Sequence, residues 1–91
     1  MNELSANSME DIQLLPQQRV TTLQELIESL RVADEIAAKG YLISSSELAD
    51  LMDINPSAVT SRGKEWSWRN WVVSRVRREG NQILWQLKRL V

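Results

Sequence analysis

Ser44 to Lys64 reads SSSELADLMDINPSAVTSRGK, and the fold turns on how this stretch is parsed. Ser44 and Glu47 stand in capping-box spacing, where a hydroxyl accepts the amide three residues on and the carboxylate reaches back. Leu48, Leu51 and Met52 then recur at helical spacing, with the small Ala49 beside Leu48. A turn is expected at Asp53-Ile54-Asn55. Asn55 is a good N-cap, and Pro56 suits the first helical position, where its missing amide costs nothing. A second short helix is predicted from Pro56 to about Arg62, with Gly63 as its stop.

Upstream, Thr22 to Lys39 is the clearest helix. Thr22 and Glu25 repeat the capping-box spacing, and Gly40 supplies the C-terminal stop. Leu23, Leu26, Ile27, Leu30, Ala33 and Ala37 form an apolar stripe, widened by Val32 and Ile36. Such a helix spans about 26 Å, longer than a three-helix core of this size needs. Its C-terminal half is expected to cover the Ser44–Lys64 unit; its N-terminal half is free either for the same core or for a second copy, through Leu23, Ile27 and Leu30. Residues 1–20 are expected to form a flexible arm, with Pro16 interrupting any helix and Ile12, Leu14 and Leu15 able to dock on the domain or a partner. Tyr41-Leu42-Ile43 reads as a short strand.

Downstream, KEWSWRNW (Lys64–Trp71) packs three of the four tryptophans into six residues of a chain without phenylalanine. Trp71 is expected in the core. Trp66 and Trp68 are either core or a stacking surface, with Arg69 placed to make a cation–π contact. Trp71 to Leu90 reads as a hairpin turning at Gly80-Asn81. That turn sets Val76 against Trp85, Arg77 against Leu84, Arg75 against Gln86 and Val73 against Lys88. One face then carries Val72, Val76, Ile83, Trp85 and Leu87. The other carries Arg75, Arg77, Gln86 and Lys88, with Val73 and Leu84 interspersed. The predicted core is Leu48, Met52, Ile54, Val59, Val76, Trp85 and Leu87.

The Ser45–Lys64 stretch resembles the helix-turn-helix units of bacterial DNA-binding proteins. Leu48-Ala49, Met52, Ile54 and Val59 match that pattern; Asp53 stands where Gly is usual and Arg62 where an aliphatic is common. These departures imply a somewhat different turn and a second helix that ends early. With the hairpin added, residues 21–91 resemble a winged helix-turn-helix domain: α+β, three helices and a C-terminal β-hairpin wing. The resemblance implies a second helix in the major groove, reading bases through Ser57, Thr60, Ser61 and Lys64, with Arg62 near phosphate. It also implies wing contacts from Arg75, Arg77, Arg78 and Asn81. The block WRNWVVSRVRREGNQILW is similar to small cyanobacterial proteins of unassigned role, a likeness that carries no mechanism.

Composition bounds the rest. Ninety-one residues, 43% of them hydrophobic, suffice for one domain, and no apolar run is long enough to span a membrane. The absence of cysteine and histidine excludes disulfides, thiolate or imidazole metal sites, and nucleophilic schemes that use either residue. No cofactor motif is visible, and the serines lack a partner base, so an enzyme is not expected. The acidic N-terminus does not read as a secretory signal, which makes a cytoplasmic protein the expectation. The net charge of −1 conceals a division. Residues 1–56 carry three basic side chains against ten acidic ones, and residues 57–91 carry eight against two. The basic half begins with the second helix of the central unit, which favours a regulator that binds double-stranded DNA. A protein-interaction adaptor is the alternative and RNA binding a lesser one; a homodimer through Thr22–Lys39 is expected in the first case.

Overall fold

A computed structural model of the chain describes residues 15–90. It comprises three helices and a four-stranded antiparallel sheet: α1 (Pro16–Lys39), β1 (Ile43–Ser44), α2 (Ser45–Met52), α3 (Pro56–Ser61), β2 (Glu65–Trp68), β3 (Trp71–Glu79) and β4 (Gln82–Arg89). The sheet order is β1-β4-β3-β2. The fold is therefore mixed α+β: β1 begins at Ile43, the last residue of the expected Tyr41–Ile43 strand, and β2 is added beside the expected hairpin.

Helix α1 starts six residues before Thr22. Pro16 occupies its first turn, so it opens the helix instead of interrupting it, and the Leu15 amide donates to Gln18 Oε1 (2.9 Å). The Thr21 and Thr22 hydroxyls donate back to the Gln17 and Gln18 carbonyls, as threonines inside a helix do, so Thr22 does not cap. Residues 1–14 of the expected arm lie outside the described residues. At the other end Gly40 adopts φ 70°, and the Tyr41 amide donates to the Ile36 carbonyl, a Schellman closure.

The central stretch folds around its caps. Ser44 Oγ accepts the Glu47 amide (3.2 Å) while the Ser44 amide donates to Glu47 Oε1 (2.9 Å). Asp53 ends α2 in the left-handed conformation, φ 58° and ψ 49°, and the Ile54 amide closes onto the Ala49 carbonyl. Asp53 thus takes up the left-handed conformation that glycine adopts most readily. Asn55 Oδ1 accepts the Ser57 amide, and α3 ends at Ser61, six residues long.

Ala33, Leu48, Ala49, Val59, Trp71, Val73, Trp85 and Leu87 form the buried core. Met52 and Ile54 are partly buried against it. Val76 is not in the core: it is 41% exposed. The cause is a register shift between Arg75 and Arg77, where Arg75 pairs with Trp85 and Arg77 with Leu84. Val76 is the extra residue of a bulge, which two-residue alternation cannot anticipate. On the open side of the bulge every expected pair moves by one: Val73 faces Leu87, Ser74 faces Gln86 and Val72 faces Lys88. Val73 therefore joins the core, and Arg75 lies on the same face as Trp85.

Strand β2 was not anticipated as a strand, although EWSW alternates in burial as period-2 geometry requires. Trp66 pairs with Val73 and Trp68 with Trp71 across a two-residue turn, in which Arg69 has φ 52°. Trp68 stacks on Trp71 (5.6 Å between centroids), and Trp66 meets Trp85 edge-on (6.1 Å). Both of these outer tryptophans are packed against the core, so neither forms a free stacking surface. At the opposite edge Ile43 of β1 pairs with Trp85. Trp85 is fully buried, and its Nε1 donates to Ser45 Oγ (2.8 Å), tying the middle of the sheet to the start of α2.

Candidate nucleic-acid interface

Helix α3 is positioned by one buried side chain, Val59, and by its cap at Asn55. With Val59 directed inwards, Ser57 and Ser61 are left exposed and Thr60 half-buried. Each hydroxyl proton is engaged locally. Ser57 donates to Asn55 Oδ1 (3.0 Å), Thr60 to the Ser57 carbonyl (3.2 Å) and Ser61 to the Ala58 carbonyl (3.1 Å). What these oxygens offer outwards is lone pairs, so the helix presents acceptors.

A groove of about 360 Å³ separates α3 from the tip of the β3–β4 hairpin. Its walls bring Ser57 and Thr60 together with Arg78 and Asn81, four of the nine residues expected at the site. Ser45 and Ser46 at the start of α2 also line it. These two serines were not expected there; the run Ser44-Ser45-Ser46 beside a capping box was the available signal. Arg78 pairs in register with Ile83, and no ion pair among the described residues holds its guanidinium.

Of the other five, Ser61 is exposed at the end of α3 outside the groove lining, and the four basic residues divide into two groups. Arg62 and Arg75 lie on tryptophans, Arg62 5.0 Å from the Trp66 ring centroid and Arg75 5.5 Å from that of Trp85. Trp66 and Trp85 are themselves in edge-on contact, so each arginine lies on one ring of a touching pair. Lys64 joins them through the backbone, its carbonyl accepting the Arg75 amide (2.8 Å). Arg77 is separate. It pairs with Leu84 on the face away from the groove, and its Nε and Nη2 both lie 2.8 Å from Glu79 Oε2.

Acids collect at the other end of α2 and β3. Glu25, Asp50 and Asp53 edge a second groove of about 570 Å³, floored in part by Leu26, Met52 and Trp68. Arg69 also lines this groove, and Arg89 pairs with Asp34 of α1, so basic side chains of the second half reach the acidic side as well. Among the described residues there is no group of acids that could hold a metal ion, and no helix long and apolar enough to cross a membrane. The chain matches no protein-family model, no curated protein and no solved structure.

Proposed function

We propose that this chain is a winged helix-turn-helix module that binds double-stranded DNA, with α3 in the major groove and the β3–β4 hairpin as a basic wing on the backbone. The observation that carries this reading is the groove lined by Ser57 and Thr60 of α3 and by Arg78 on the hairpin tip, an arginine with no ion pair among the described residues. Phosphate attraction supplies most of the affinity, and Arg62, Lys64, Arg75 and Arg78 are its sources. The hydroxyls of Ser57, Thr60 and Ser61 offer acceptors, which suit the exocyclic amines of adenine and cytosine in the major groove. Cytoplasmic transcriptional regulation is the process this assignment fits. Selecting bound duplexes from a random pool tests it, since enrichment demonstrates binding and reads the site. No retention of any duplex at about 50 mM salt would overturn it, because non-specific binding is strongest there.

A second reading, an adaptor that binds another protein, is favoured by the acidic groove with its apolar floor of Leu26, Met52 and Trp68. Salt-sensitive capture of arbitrary duplex favours the first reading, and its absence favours the second.

A further inference from the structure

We infer that two copies of this chain pair in parallel along the first half of α1. Val20, Leu23 and Ile27 are 53%, 56% and 52% exposed, and with Leu30 they repeat at alternating intervals of three and four. In heptad terms Val20 and Ile27 occupy position a, and Leu23 and Leu30 occupy position d. β-Branched residues at a with leucine at d are the combination that favours a parallel two-stranded coiled coil.

The seam leaves the chain's own domain towards its N-terminal end: Val20, Leu23 and Ile27 are exposed, whereas Leu30 is half-buried and packed against the core. Thr22, Glu25, Leu26 and Ser29, on the other side of the same turns, face the acidic groove. One heptad further on, position a is Asp34, which is ion-paired with Arg89, and position d is Ala37, packed against the core. The pattern therefore stops where α1 meets the sheet. Parallel pairing sets Leu26 of one copy beside Arg31 of the other, and the Arg31 guanidinium is already held by Glu28 (2.9 Å). No like charges are forced together at that position. About two heptads is short beside the three or four of a sustained coiled coil, so the pair is expected to dissociate reversibly.

Sedimentation equilibrium of the full chain without nucleic acid, at about 5–500 μM, tests the pairing separately from any duplex binding. The expected result is a monomer–dimer equilibrium that Ile27→Lys weakens at least about ten-fold. Val32→Lys, at an exposed position off the seam, should leave it unchanged, and far-UV circular dichroism should match in all three proteins. The chain has no cysteine, so Leu23→Cys supplies a single thiol. Oxidation should link two copies of that variant and leave Glu25→Cys, on the outside, unlinked. Monomer at every concentration overturns the inference. So does equal weakening by Val32→Lys, or a dimer that Leu23→Cys fails to cross-link. A monomer in which the introduced thiol resists small reagents also overturns it, since the chain itself would then cover this face.

Discussion

Arg77 and Arg78 are neighbours in sequence with opposite environments, and that difference can be measured. Arg78 faces the groove beside α3, whereas Arg77 lies on the far face against Glu79. If Arg62, Lys64, Arg75 and Arg78 each neutralise one phosphate, log affinity should fall with log salt at a slope of about −3.6. Raising salt from about 50 to 200 mM then weakens binding about 150-fold. Arg78→Ala removes one contact, giving a slope of about −2.7 and a loss of about 40-fold over the same range. Arg77→Ala should leave the slope within error of the parent. Fluorescence anisotropy on one labelled duplex, at three or more salt concentrations, gives all three slopes. Equal flattening by the two variants would refute the assignment of faces; a flat slope in the parent would refute phosphate contact altogether.

Three further outcomes test the fold. Ser45→Ala leaves Trp85 Nε1 buried without its acceptor and should cost about 1–3 kcal/mol in urea denaturation; a loss below about 0.5 would mean the bond contributes nothing. Arg69→Gly relieves a left-handed φ costing about 1–2 kcal/mol against an entropy penalty of about 0.5–1. It should raise the melting temperature by a few degrees, and any fall would argue that the turn is held by the arginine side chain. Val76→Thr should change stability by less than about 0.5 kcal/mol at an exposed bulge, whereas burying that hydroxyl would cost about 1–3.

What the sequence disclosed was local. The Ser44–Glu47 box, the Asn55-Pro56 entry, the Gly40 stop and the Gly80-Asn81 turn each depend on residues within a few positions, and each forms. The start of α1 was misplaced because a threonine hydroxyl can cap an amide or bond back to a carbonyl, and spacing does not distinguish the two. Strand β2 is only four residues long, and over so short a stretch its two tryptophans read equally as isolated rings or as the inward half of an alternation. At the candidate site the residue types were legible. Their sides were not, since one inserted residue reverses alternation beyond it.

That inserted residue decides which charge the groove receives. Trp71, Val73 and Arg75 lie on the inner face of β3, so regular pleating would bring Arg77 and Glu79 inward next. The groove would then hold an ion pair with its charge already neutralised, and Arg78 would point away from α3. The bulge at Val76 shifts the alternation by one. Arg77 and Glu79 go to the outer face together and meet there, while Arg78 comes into line with Ile83 beside the serines of α2 and α3. Bulges also increase local twist and bend the strand that carries them. The exposed valine, an awkward residue in a strand read by alternation alone, is thus what turns towards α3 a guanidinium that has no ion pair among the described residues.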